Sequence, residues 1–500
     1  MNLIVPHPSD LGNPGAGRRA GEGEPHRVAF LVFAKVLVVG VIAVGAVMLT
    51  GCAHYQPKPI ALDRTAIDFE SRSLTQPELR EFLSQNLGRP FPEWPLPSWD
   101  FETLTWAAFH YHPSLDVARA QWAVAIAGRT TASARPNPTA SVTPGYNFSA
   151  ADGISPWFPG IAFDVPLETA GKRGKRINRA QHLAESARLN ITTAAWQVRG
   201  GLRTALIDLS STARRRGLLQ DQAVSQRRMV ELLEQRLAAG SASTLDVSIT
   251  RLALIRGEAD LAEARRIETE SRLRLAEALG VPASAVAALV VEFPLSQSSR
   301  PRLHSVEARR AALQHRADIL AALALYEASQ ASVQIEIARQ YPDIHLGSGY
   351  QWDQGDSKWN LALTLELPIF NRNQGPIAEA EARRQEAAAH LLALQAKVIS
   401  EIDRSTAAQA ASDEQLNETK RMQAGLLERL KLIESRLSVG GADQLDYQNA
   451  KVETNVSALA ILNAEIRSAQ ASGLLEDALQ IPFQALSTVE KNAARPLPKN

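Results

Sequence analysis

From Ile177 to Ala239 the chain runs 63 residues without a proline, and from Ile377 to Val439 it does so again. As α-helix each run is roughly 95 Å long, far more than an ordinary globular core can bury. Both end in one motif, "RLAAGSASTLD" at 236–246 and "RLSVGGADQLD" at 436–446, in register without a gap. A helix that reverses within a few residues needs positive φ, which places Gly240 and Gly440 at the two reversals. A narrow apolar stripe of Ala187, Ile191, Ala194, Val198, Leu202, Ala205 and Leu209 recurs in steps of three and four. That spacing predicts a coiled-coil seam against a returning helix, and "LGVP" stops the first return near residue 280. The hairpins are therefore expected over 177–280 and 377–480.

The duplication extends upstream. At an offset of 204, Ala118 meets Ala322, Arg135 meets Arg339, Pro138 meets Pro342 and Tyr146 meets Tyr350. The offset is 202 where Pro166 meets Pro368, then 200 through the helices. Each half, 102–293 and 303–481, reads as helix, two strands, very long helix, glycine turn and returning helix. The strands are expected at about 139–148 and 158–167, then 343–353 and 358–368. A single helix is expected over 102–134. Residues 52–101 read as an extended segment on account of the prolines between Pro57 and Pro97, 294–302 as a linker, and 482–500 as a loose tail.

The strands alternate strictly. Trp359, Leu361, Leu363, Leu365 and Leu367 oppose Asn360, Ala362, Thr364 and Glu366; Ile344, Leu346 and Tyr350 oppose His345, Gly347 and Gly349. About ten alternating residues suit a tilted membrane strand, apolar outward and polar inward, as well as an amphipathic hairpin on a soluble core. Four strands cannot close a barrel, and open edges leave N–H and C=O groups facing lipid. A barrel built from them has to be shared between chains.

Residues 28–51 are apolar except for Lys35, follow Arg18, Arg19 and Arg27, and end in "LTGC" with the only cysteine, Cys52. A basic region, an apolar run and small residues describe an export signal over 1–51, although about 20 apolar residues would also span a bilayer as a helix. The stretch before Val28 is long for a signal, so a start downstream of Met1 is expected. Net charge is +1, giving no strong pull toward nucleic acid.

Cysteine after Leu-x-Gly resembles the bacterial lipobox, in which the thiol is diacylated. Acylation at Cys52 would anchor the chain in the membrane and leave no thiol for a disulfide; Ala53 rather than Asp resembles the outer-membrane pattern. The tandem repeat, paired strands and repeated "R-L-x-x-G-x-A-x-x-L-D" turn resemble the TolC family of outer-membrane efflux ducts over nearly all of the chain beyond Cys52. "PLETAGKRGKR" (166–176) and "LPIFNRNQG" (367–375) look like its CzcC-like heavy-metal subgroup. The resemblance implies a mainly α fold with a small membrane β-barrel, four strands per chain, and long helical hairpins forming a periplasmic tunnel. It also implies a homotrimer in outer-membrane lipid, a periplasmic adaptor, and an inner-membrane pump of the proton-driven RND type.

In the family the hairpin tips meet the adaptor. By position that surface is Arg236, Leu237, Gly240, Ser241 and Ala242 with Arg436, Leu437, Val439, Gly440, Gly441 and Ala442; helix capping alone is the competing reading of the glycines. Glu234 and Glu434 match at the 200 offset, either as a cation-concentrating periplasmic gate or as a solvated face. His110 and His112 are two apart and share no helix face, and His304, His315 and His345 complete no ligand spacing, so no metal site and no cofactor is expected. Phosphate-loop, dinucleotide and nucleophile-elbow motifs are missing, which argues against an enzyme. The expected function is a passive exit duct of a tripartite pump, for heavy-metal cations, with drug efflux or type I secretion as alternatives. A periplasmic adaptor or coiled-coil tether is the non-channel alternative.

Overall fold

The computed structural model describes residues 54–151, 153–295 and 305–482, and side chains from 309 onward in the last segment. The export signal, Cys52, His304 and the tail beyond 482 lie outside the described residues. The chain divides into a unit of residues 1–66 and a unit of residues 67–500. In the first, an irregular stretch leads into α1 (Leu62–Glu70), which buries no residue.

In the larger unit the helices are α2 (Pro77–Leu87), α3 (Phe101–Tyr111), α4 (Pro113–Ser133), α5 (Lys172–Ala238) and α6 (Thr244–Leu279). The second half supplies α7 (Ser305–His315), α8 (Ala317–Ala338), α9 (Gln374–Ser438) and α10 (Gln444–Leu479). The strands are β1 (Thr139–Thr143), β2 (Gly160–Leu167), β3 (Ile344–Asp353) and β4 (Asp356–Leu365).

Four expectations need correction. Residues 52–101 are not extended throughout: α1 and α2 form there, because Pro77 occupies the first turn of α2, where its missing N–H costs nothing. Leu79 and Leu83, one turn apart, are fully buried by that helix, and Gly88 ends it at φ +63°. The helix expected over 102–134 is two helices. Pro113 forces His112 to an extended backbone (ψ 122°), so α3 stops and α4 begins with proline at its start. The second half breaks at Arg316 without a proline. There the guanidinium is buried and donates to the Ala478 carbonyl at 2.6 Å and to Asp318, so tertiary contacts set the break. Finally, β1 is five residues long rather than ten. Pro144 follows it and has no N–H for a ladder, and Tyr146 makes only an isolated bridge to Trp157. The long helices also begin earlier than expected, at Lys172 after Gly171 (φ +67°) and at Gln374 after Asn373 (φ +62°).

The four strands form one antiparallel meander, β1-β2-β3-β4, in which β2 and β3 join the two halves. Register places Ile161 opposite Tyr350 and Val165 opposite Leu346; it then places Leu346 opposite Leu363 and Tyr350 opposite Trp359. Apolar residues of both halves therefore share one face, which is exposed; Trp359 is 78 % and Leu361 76 % accessible. The other face carries Asp164, His345, Gly347, Gly349, Asn360 and Thr364. At the foot of the sheet Lys172 Nζ meets Asp343 Oδ1 at 2.7 Å and Arg176 pairs with Glu168, fixing the strand-to-helix turn.

The two halves repeat one core. Val198, Leu202, Leu275 and Leu279 are buried together in the first; Val398, Ile402, Leu475 and Leu479 are buried together in the second, each 200 positions on. The expected seam is buried from Val198 through Leu209, while Ala187, Ile191 and Ala194 are half-buried.

A buried ion cluster joins the halves. Arg203 of α5 pairs with Glu476 and with Asp477 (3.0 Å) and donates to the Gly473 carbonyl at 2.8 Å; Arg199 donates to Glu476 at 2.9 Å. Both guanidinium groups lie over the Phe101 ring, at 4.8 and 5.3 Å. Gly473 is needed for closeness: a Cβ there would sit 2.7 Å from Arg203 Cδ. Replacing Arg203 by Met takes the paired guanidinium from half-buried Asp477 and leaves buried Glu476 with Arg199 alone; it is expected to cost about 3 kcal/mol, read as a lowered unfolding temperature of the purified protein.

Candidate functional site

Opposite the sheet, each long hairpin ends in the same turn. Gly240 has φ +74° and Gly440 φ +76°, and a Cβ at either would meet nothing within 4 Å. Glycine is thus required there by backbone conformation, not by crowding. Ser241 N–H donates to the Arg236 carbonyl at 2.8 Å and Gly441 N–H to the Arg436 carbonyl at 2.8 Å, satisfying the last carbonyls of α5 and α9. Ser243 and Asp443 then cap the returning helices, with Asp246 and Asp446 reaching back to complete the capping boxes.

The substitution of Asp443 for Ser243 has a second consequence. Arg236 Nη2 lies 2.6 Å from Asp443 Oδ2, so the first tip is tied to the second within one chain. The hydrogen bond from Arg236 holds the Asp443 carboxyl below its ordinary range, keeping the pair charged at neutral pH. The repeat mate, Arg436, makes no side-chain contact of this kind among the described residues. Ser241, Val439, Gly440 and Gly441 are exposed; Leu237, Ala242, Leu437 and Ala442 are half-covered. Sequence reasoning passed over Asp443 and Leu245, which is 65 % accessible beside the turn. The only prior signal for Asp443 was its departure from the repeat.

Glu234 and Glu434 occupy equivalent places but different surroundings. Arg251 of the returning helix pairs with Glu234. The residue equivalent to Arg251 is Lys451, whose ammonium lies 5.6 Å from the Tyr447 ring centre, and Glu434 is exposed and has no cation beside it among the described residues.

The histidines do not converge. His110 packs its ring 4.9 Å from Phe82, and His112 Nδ1 accepts from Ser114 N–H at 3.3 Å; burial lowers both pKa values, favouring neutral rings. His345 Nδ1 lies 2.7 Å from Asp164 Oδ2 on the polar face of the sheet. Among the described residues no three His, Cys, Asp or Glu side chains are grouped to hold a metal, and no helix is long and apolar enough to cross a membrane.

Comparison with known proteins places this geometry. The sequence profile of the outer membrane efflux protein family matches residues 107–281 and again 308–479, one match per repeat. The cobalt-zinc-cadmium resistance protein CzcC of Cupriavidus metallidurans is 27 % identical over 220 residues, which are 43 % of this chain and 51 % of CzcC. Outer membrane protein OprJ of Pseudomonas aeruginosa is 29 % identical over 284 residues, 52 % of this chain and 56 % of OprJ. The chain thus spans about half the length of these curated relatives. The crystal structure of VceC from Vibrio cholerae superposes with a TM-score of 0.63 over 77 % of this chain and 96 % of that one, at 24 % identity. The outer-membrane channel OprN gives 0.65 over 87 % and 99 %, at 19 % identity. With its duplicated profile match and its fold shared with these channels, the chain belongs to the outer membrane efflux protein family, whose folds are TolC-like.

Proposed function

We propose that this chain is the outer-membrane exit duct of a tripartite efflux pump. One observation carries the reading. The sheet exposes an apolar face, and the outer edges of β1 and β4 have no strand beside them among the described residues. In lipid those edges require strands from other copies. Three copies complete a barrel, with Asp164, His345, Asn360 and Thr364 toward the lumen and the long helices continuing the passage into the periplasm. Acylation at Cys52 adds a lipid anchor. The duct is passive, so it needs no catalytic residue and no cofactor.

The partners are a periplasmic adaptor and a proton-driven RND pump in the inner membrane. The adaptor meets the tips at Arg236, Leu237, Gly240, Ser241 and Ala242 and at Arg436, Leu437, Val439, Gly440, Gly441 and Ala442. Their open backbone permits close approach, and the Arg236–Asp443 tie holds the two tips of a chain together. A gate built near the tips draws its free carboxylate from Glu434, since Arg251 neutralises Glu234. The cargo is a divalent heavy-metal cation, a reading supported by the likeness to CzcC. The likeness to OprJ supports the second reading, a duct for organic solutes. Tight metal ligation is not needed in a duct, because strong binding slows exit.

Gly440→Trp is expected to abolish export while the oligomer still assembles; adaptor crosslinking that survives the change removes docking from this tip. Deleting the gene is expected to raise sensitivity to zinc, cobalt and cadmium, restored by the wild-type chain. Unchanged metal tolerance with new sensitivity to organic toxicants transfers the cargo to the second reading. Glu434→Gln is expected to lower cation flux through reconstituted channels more than Glu234→Gln does.

A further inference from the structure

The strand-to-helix turns of the two halves share a fold but differ sharply in charge. Residues 168–182 carry five cations, Lys172, Arg173, Lys175, Arg176 and Arg179, against one carboxylate, Glu168. Their mates at 368–382 carry one cation, Arg372, against two carboxylates, Glu379 and Glu381. The turn itself does not require the excess, since the second half makes it with Asn373, Gly375 and Pro376 in place of Arg173, Lys175 and Arg176.

Part of the excess is used inside the chain. Lys172 holds Asp343 at 2.7 Å, Arg176 holds Glu168, and Arg173 Nε donates to the Ser133 carbonyl at 2.7 Å. Lys175, Arg179 and Arg372 remain, together with Arg135 just past the end of α4. Lys175 is half-exposed and the other three are exposed; none has an ion-pair partner among the described residues. The polar face of the sheet does not call for them, because Asp343 already has Lys172 and Asp164 has the His345 ring at 2.7 Å.

Their level relative to the sheet is set by contacts. The first turns of α5 stand beside the end of α4, where Arg173 reaches Ser133 and Arg176 reaches the Ala134 carbonyl at 3.2 Å. The apolar face ends at Leu167 and Leu367, both exposed. Beyond Leu367 the second half adds Ile369 and Phe370, 66 % and 98 % accessible, where the first half has Thr169 and Ala170. Lys175 and Arg179 share a face of α5, roughly 5 and 10 Å along the helix from Lys172. A bilayer's headgroup layer is about 5–8 Å deep, and long basic side chains reach into it while their stems cover apolar surface. Unpaired cations thus stand immediately below the last apolar residues, at the depth of lipid phosphates.

We infer that Arg135, Lys175 and Arg179, flanked by Arg372, form a binding site for anionic phospholipid headgroups of the leaflet facing the periplasm. Ile369 and Phe370 enter the acyl boundary beside it. The occupant is a lipid phosphate because positive charge and exposed apolar side chains adjoin there, and only a lipid offers both an anion and a chain. The site rests on the membrane-duct reading and adds to it a preference for lipid charge. Since the second half lacks the excess, each copy binds such lipids at one sector of its wall.

The test uses the full-length chain in a non-ionic detergent, titrated with phosphatidylglycerol or phosphatidylcholine, with bound lipids counted by native mass spectrometry. The wild-type oligomer is expected to retain phosphatidylglycerol in preference to phosphatidylcholine, and the preference is expected to fall as salt rises. Lys175→Gln with Arg179→Gln is expected to weaken phosphatidylglycerol binding about 25-fold, roughly fivefold per charge, and to leave phosphatidylcholine unchanged. Arg135→Gln, outside any helix, is expected to weaken it about fivefold and decides the matter if the double variant fails to assemble. Phe370→Ser is expected to lower retention of both lipids alike. Equal retention of the two lipids by the wild type, or phosphatidylglycerol binding that survives these changes, overturns the site while the duct reading stands. Inorganic phosphate that displaces phosphatidylglycerol at constant ionic strength makes the patch a free-anion site and overturns the lipid assignment. A wild type that leaves membranes in salt as a monomer overturns the duct reading and the site with it.

Discussion

The rows of backbone N–H and C=O groups along the free edges of β1 and β4 govern the rest of this structure. Water can satisfy such groups, but hydrocarbon cannot, and the apolar face beside them is made for hydrocarbon. A chain with four strands and this face is incomplete by itself. On the duct reading proposed above, neighbouring copies supply those edges, and both hairpins extend from the same end of the shared passage.

Below the sheet the same economy recurs with different chemistry. The halves are held to each other by the Arg199–Arg203–Glu476–Asp477 cluster, in which Arg203 and Glu476 are buried and Arg199 and Asp477 are half-buried. Burying charge costs more than burying leucine, so the cluster is a poor general adhesive. What it supplies is register. Gly473 and Phe101 admit Arg203 at one level only, which sets the height at which α10 lies along α5. Further along the helices, Arg214–Glu465 and Arg236–Asp443 repeat the arrangement down to the tips. The first half contributes cations and the second half anions at each of these steps.

Much of this was legible beforehand because long-range periodicity survives in one sequence. The 200-residue repeat, the alternation of Trp359 to Leu367 and the glycines at 240 and 440 each depend on local geometry, which neighbouring residues dictate. The early end of β1 was legible in Pro144 and the helix break at His112 in Pro113, though neither was given its weight. The break at Arg316 was not legible, since no local residue requires it; it exists because a buried guanidinium reaches the end of α10. The Glu234–Arg251 pair could have been found from residue spacing across the hairpin, but Arg236–Asp443 joins residues 207 positions apart.

By itself, then, the sequence determined that this protein is duplicated, mostly helical, built on paired amphipathic strands and turned at glycine, because φ preference and side-chain period act over a few residues. Only the tertiary structure decided which faces are covered. It put Glu465 of α10 against Arg214 of α5, and it gave Glu234 a cation while leaving Glu434 without one among the described residues. Those outcomes depend on contacts between residues hundreds of positions apart, where packing and Coulomb energy over a few ångströms choose among arrangements that local preference treats alike.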